Sequence, residues 1–103
     1  MSLVQIMKTV STAGTGEALS TEDLWVDQVT FQGLVQTGEV YVGDSNVAAA
    51  AFGFKLPPTT GDNVPPTVTY RGKINLKNVY VDVETSTQGV AVSYIPSTTN
   101  SRY

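Results

Sequence analysis

The chain has 103 residues, nine acidic and six basic side chains, and neither histidine nor cysteine. One domain of ordinary size fits that length. The missing residue types exclude disulfides, Cys/His zinc sites and the Ser-His and Cys-His pairs of nucleophilic catalysis. A net charge of −3 without a basic cluster argues against a phosphate backbone as ligand, so no nucleic acid is expected as partner. No apolar run approaches the roughly 20 residues of a membrane span, so no membrane partner is expected either. Residues 1–10 carry one lysine and no continuous apolar block, which does not fit a secretory leader. The expected place of synthesis is a cytoplasm, with release by lysis.

Valine, threonine and isoleucine number 15, 14 and 3, about a third of the chain. Their branched Cβ costs rotamer freedom in helices and packs well on a pleated sheet. Charged residues make up 15%, well below the usual share of about a quarter. A weakly charged, Thr/Ser/Gln/Asn-rich surface hydrates adequately but repels neighbours poorly, which suits a subunit that associates.

Leu3 to Val10 is the first predicted strand, broken by Gly14 and Gly16. Ser20 and Thr21 before Glu22 and Asp23 could cap a helical turn, but no 3.6-residue period follows, so a turn is expected. Leu24 to Phe31 is the next strand. Trp25, Val29 and Phe31 share a face with Asp27 while Val26 opposes them, an imperfect alternation that either cover on both faces or a bulge near Asp27 explains. After Gly33 and Gly38 comes a short strand, Glu39 to Val42, ended by the turn Gly43-Asp44-Ser45-Asn46. Asn46 to Ala51 is ambiguous, since four alanines favour a helix of at most about one and a half turns.

Phe54 to Leu56 is a brief extended piece. Residues 57–66, with four prolines, Gly61, Asp62 and Asn63, form a long irregular loop. Thr67 to Tyr70 extends to Gly72, and Ile74 to Leu76 leads into the clearest strand, Asn78 to Glu84. There Val79, Val81 and Val83 face one way, and Tyr80, Asp82 and Glu84 the other. Ser86 to Gly89 turns into Val90 to Ile95, which Pro96 ends. About eight short strands with turns every 8–12 residues give an all-β fold, a β-sandwich or a barrel, in a single domain over residues 1–103. An N-terminal arm (about 1–12) and a polar C-terminal tail (97–103) flank its core.

Candidate chemistry is sparse. Asp82 and Glu84 lie about 7 Å apart on one strand face, a spacing that glycoside hydrolysis could use, though such pairs usually belong to solvated faces. The turn at Asp44 offers oxygens to calcium, but one carboxylate in four residues describes a plain turn better. Tyr41, Tyr70, Tyr80 and Tyr94 could make an aromatic sugar platform, whereas tyrosines at alternate strand positions more often pack across strands. No catalytic, cofactor-binding or metal-ligating residue is assigned, and no enzyme activity or cofactor is expected.

From residue 39 onward the order of motifs resembles small tailed-bacteriophage virion proteins. The segments are Glu39-Val-Tyr-Val-Gly-Asp-Ser-Asn-Val47, Gly53-Phe-Lys-Leu-Pro57, Ile74-Asn-Leu-Lys-Asn-Val-Tyr-Val81 and Gly89-Val-Ala-Val-Ser-Tyr-Ile95. The likeness covers roughly residues 20–95; the loop Pro57 to Pro66 departs from it. It implies a sandwich close to a jelly roll, found as head-decoration (cement) proteins or as modules on tails and fibres. The expected function is therefore a capsid decoration protein that binds and stabilises the head surface. Its expected partner is the major capsid protein or another virion protein, its expected state a homo-oligomer (dimer or trimer), and its place the virion. Ser2 to Val10 and Pro57 to Pro66 are the expected contact segments. The alternative is a tail- or fibre-associated module that recognises a host-surface glycan.

Overall fold

A strand that buries one face needs apolar side chains at alternate positions, and most of this chain is written that way. The computed structural model describes residues 4–34, 36–48, 51–59 and 65–97. It contains β1 (Val4–Thr9), β2 (Glu17–Ala18), β3 (Trp25–Gln32), β4 (Val40–Gly43), β5 (Phe54–Leu56), β6 (Thr67–Asn75), a 3₁₀ turn (Leu76–Asn78), β7 (Tyr80–Val83) and β8 (Gly89–Pro96). Two antiparallel sheets form, ordered β1-β8-β3-β6 and β2-β7-β4-β5. Each strand pairs with the one that completes a folded ribbon: β4 with β5, β3 with β6, β2 with β7, β1 with β8. Rolling that ribbon adds the β3–β8 and β4–β7 pairings and gives the jelly-roll order.

The core between the sheets is built of small branched side chains. Of seventeen buried apolar residues among those described, eleven are valines. Val81 and Val83 fill one layer; Val29, Phe31, Val90 and Val92 meet them from the other sheet.

Of the two explanations for the mismatch near Asp27, the bulge is the one present. Between Val26 and Gln28 the pairing of β3 slips against both neighbours. The slip corrects the predicted faces: Val26 turns inward with Val29 and Phe31, and Trp25 turns outward. On β6 the bulge is absorbed at Gly72, whose φ of 139° is open to glycine, so Thr67–Asn75 is one strand where the sequence suggested two pieces.

Residues 76–78 also depart from the expected start of a strand. Asn75 caps them: its Oδ1 accepts from Lys77 N and from Leu24 N (both 3.0 Å), and its Nδ2 donates to Asp23 Oδ1. The segment after Ser20 is a turn, as expected, with Ser20 Oγ accepting from Glu22 N. Ala48 and Ala51 exchange both backbone hydrogen bonds as an antiparallel bridge, so helix does not run through these two residues.

The residues expected to form an N-terminal arm are, over Val4–Thr9, an edge strand laddered along β8. The expected tail lies outside the described residues beyond Ser97, as does the centre of the proline loop, residues 60–64.

β1 and β8 approach so closely at Gly89 that a Cβ there overlaps the Lys8 carbonyl. Gly89→Ala is therefore expected to cost about 1–3 kcal/mol through displacement of β1, read as a lowered midpoint in urea denaturation with an unchanged slope.

Candidate interaction surface

The outward positions of β4 and β7 carry Tyr41 and Asp82, which sit opposite each other across the strands. Such positions normally face water, yet Asp82 is 1% exposed and Tyr41 is buried. The chain covers them itself. The loop after β1 lies over Asp82, whose Oδ1 accepts from Gly14 N (2.9 Å) and Val83 N (2.8 Å). The connection between β4 and β5 folds Phe52 onto Tyr41 in a stack at 5.6 Å, and Lys55 Nζ sits 6.0 Å from the Phe52 ring. Lys55 also pairs with Glu39 at 3.3 Å. Burial, then the hydrogen bond to Glu39 and the carboxylates of Glu84 and Asp82, push the Tyr41 phenol above its ordinary pKa.

Asp82 and Glu84 thus border one depression with Tyr41; Glu84 is exposed, as expected of a solvated face, whereas Asp82 is buried. Asp82 staples the loop, and Glu84 Oε1 accepts the Glu39 backbone N–H at 3.0 Å. Both carboxylates act as backbone acceptors.

The other sheet has no such cover among the described residues. Registers across β1, β8, β3 and β6 set its outward rows: Gln5, Ser93, Thr30 and Thr69, then Met7, Ala91, Gln32 and Thr67. A partial row of Ile95, Gln28 and Arg71 follows, and Arg71 is the one charge in all three. Thr30 and Thr69 hydroxyls join at 3.0 Å. Met7 is 66% exposed. Because Ala91 and Ser93 are small, β8 lies low between Gln5 and Met7 on one side and Gln32 on the other, forming a groove of about 380 Å³. A neutral, grooved sheet face loses little by desolvation and is suited to meet another protein.

The remaining candidates are dispersed. Tyr41 is stacked under Phe52, Tyr94 is in the core, Tyr80 stands on the outward side of β7, and Tyr70 is exposed at the margin of β6. No common platform results. Asp44 spends Oδ1 on Asn46 N (2.9 Å) and its carbonyl on Val47 N (3.0 Å), the bonds of a plain turn. Among the described residues no group of three or more acidic side chains converges as a metal site, and no helix is long and apolar enough to cross a membrane. The outward face went unnoticed in the sequence because its signal, neutral residues at alternate positions of four separated strands, appears only once register is known.

No family profile, curated protein or solved structure matches the chain.

Two outcomes follow from these contacts. Asp82→Ala strands two N–H groups and is expected to cost about 1–3 kcal/mol, with faster amide hydrogen exchange at Gly14 while the β1–β8 ladder keeps its protection. Glu17 accepts from Ser11 N (2.9 Å) and pairs with Lys8 (3.0 Å), and these hold its carboxyl below the ordinary 4.5. A carboxyl depressed on folding adds stability above its unfolded pKa and loses it as pH falls through the folded value. The stability gap between wild type and Glu17→Gln is therefore expected to be constant near neutrality and to close on acidification below 4.5, followed by thermal melts across pH.

Proposed function

We propose that this chain is a structural protein of a bacteriophage virion, a capsid decoration protein that docks on the major capsid protein and works as part of a homo-oligomer. The observation that carries the reading is the inequality of its two outer faces. One is finished by the chain's own loops over Tyr41 and Asp82; the other is, among the described residues, a bare four-stranded face whose three matched rows hold one charge, Arg71. A weakly charged face of that kind favours association, where buried polar groups need hydrogen-bond partners and Arg71 is the one ion in its matched rows to be paired or left at the rim. The jelly-roll topology and the motif order between residues 39 and 95 agree with a virion role. The segment 4–9 is already laddered to β8, so the contact moves from an arm to the sheet face that includes β1. The glycan-binding alternative loses its aromatic platform, because the four tyrosines are dispersed.

The gene is expected beside that of a major capsid protein, and the purified chain is expected to sediment with heads of that phage. Met7→Glu combined with Thr30→Glu, both on the open face, should weaken this by about tenfold or more while leaving the melting temperature near wild type. Undiminished sedimentation of that variant, or a gene set among metabolic enzymes, contradicts the proposal.

A further inference from the structure

A strand at the rim of a sheet keeps a row of unpaired N–H and C=O groups, which monomers blunt with shortness, bends or charge. Four strands of this sandwich stand at a rim: β1, β6, β2 and β5. β2 has two residues and β5 three. β6 bends at Gly72, whose φ is 139°, and carries Arg71 and Lys73. β1 is neither short nor bent. Its six residues, Val4–Thr9, run against β8 without a register shift and include no proline. Its one charge, Lys8, is paired with Glu17 of the same chain at 3.0 Å.

Hydrogen bonds just beyond β1 fix the direction of its free groups. Val10 N donates to Gln88 O (3.0 Å) and Val10 O accepts from Thr87 N (2.9 Å), so Val10 turns its peptide groups toward the β8 side. By alternation Lys8, Ile6 and Val4 do the same, and Gln5, Met7 and Thr9 direct N–H and C=O away from the sheet. Gly89, opposite Thr9, agrees, since its N–H and C=O turn from β1 to the Gln36 carboxamide. The inward side chains are unfinished as well. Val4 and Ile6 pack against the core but stay half-buried, whereas Tyr94 and Val92, opposite them on β8, are buried.

We propose that β1 is the self-association edge of this protein: β1 of a second copy pairs with it antiparallel, about a twofold axis at Met7. That register sets Met7 against Met7 and Gln5 against Thr9 in both directions, so every outward-directed residue exchanges backbone bonds, about six in all. A second copy is selected because the edge matches itself. Its outward side chains, Gln5, Met7 and Thr9, are neutral. On the inward side Ile6 meets the aliphatic stem of the other copy's Lys8, whose ammonium stays with its own Glu17, and no like charges are opposed. A charged strand gains nothing here, because Lys8 is already neutralised and no other ion lies on β1. A six-residue edge is about 20 Å long and buries less than the roughly 800 Å² per partner of a standard interface. The dimer is therefore reversible, with a dissociation constant on the order of 0.1 mM. The inference rests on the homo-oligomer in the proposed function and gives it an interface, across which two open faces become continuous.

The experiment is sedimentation equilibrium of the full chain from about 10 μM to 1 mM, with amide hydrogen exchange at both ends of that range. Expected are a monomer–dimer equilibrium and slower exchange at Gln5, Met7 and Thr9 in the dimer. Met7→Pro removes an outward N–H without taking a bond from the β1–β8 ladder, and should weaken association by about tenfold or more. Gln5→Lys with Thr9→Lys opposes like charges across the axis and should do the same without touching the backbone. Gln5→Lys with Thr9→Glu opposes unlike charges and should restore the dimer. Three results overturn the proposal: a monomer at every concentration, an oligomer that Met7→Pro or the lysine pair leaves at wild-type strength, or full protection of the three amides already in the monomer. The second of these moves the interface elsewhere and leaves the homo-oligomer standing, and sedimentation of the wild-type chain with heads tests the virion role separately.

Discussion

One constraint organises this domain: a single folding of the chain, centred on the connection between Val42 and Phe54, decides every strand's partner. Once β4 and β5 pair, the flanking segments can only continue the ribbon outward, ending with Val4 opposite Tyr94. That last pairing closes almost the whole chain and carries the largest loop-closure entropy. It is secured at the point where the ribbon is tightest, at Gly89 against Lys8. On its other side Gly89 is bound by the Gln36 carboxamide, which donates to its carbonyl and accepts from its N–H as a strand would.

The same folding makes the two sheets unequal. The connection at the ribbon's centre and the loop after β1 both fall on the outside of β4 and β7, where Phe52 covers Tyr41 and Gly14 binds Asp82. Nothing comparable falls on Thr30, Ala91 or Met7 among the described residues. A sheet with one face in the core and the other towards water normally carries charges on the wet side. Here the matched rows of the wet side carry mostly amides, hydroxyls and a thioether, with Arg71 as their one charge. The valine core has a second consequence: it makes the slab thin and leaves the β5–β6 flank open beneath Tyr70.

Much of the architecture was legible in advance. Alternation in Val79-Tyr80-Val81-Asp82-Val83 and Val90-Ala91-Val92 located the central strands, and the mismatch around Asp27 located the bulge. What escaped was long-range. Asp82 looked solvated because its cover, Gly14, is remote in sequence and meets it only after the ribbon rolls. Trp25 was grouped on one face with Val29 and Phe31 because periodicity cannot say on which side of a bulge the parity changes. The strand expected from Leu3 to Val10 is present as β1, but its further reading as a free contact arm is not, because an edge strand and a free extended segment share one pattern. The open face lay hidden for the converse reason, since threonine and glutamine at alternate positions look like ordinary solvated strand residues.

The proposed docking surface is the face bearing Met7 and Trp25. Hydroxyl-radical footprinting compares the side chains directly, since Met7 (66% exposed) and Trp25 (38%) report on that face and Phe52 (43%) on the self-covered side. On assembled heads, Met7 and Trp25 are predicted to lose most of their oxidation relative to the free chain while Phe52 keeps its own. Equal oxidation of Met7 in the free and assembled states, with protection moved to Phe52, would contradict it.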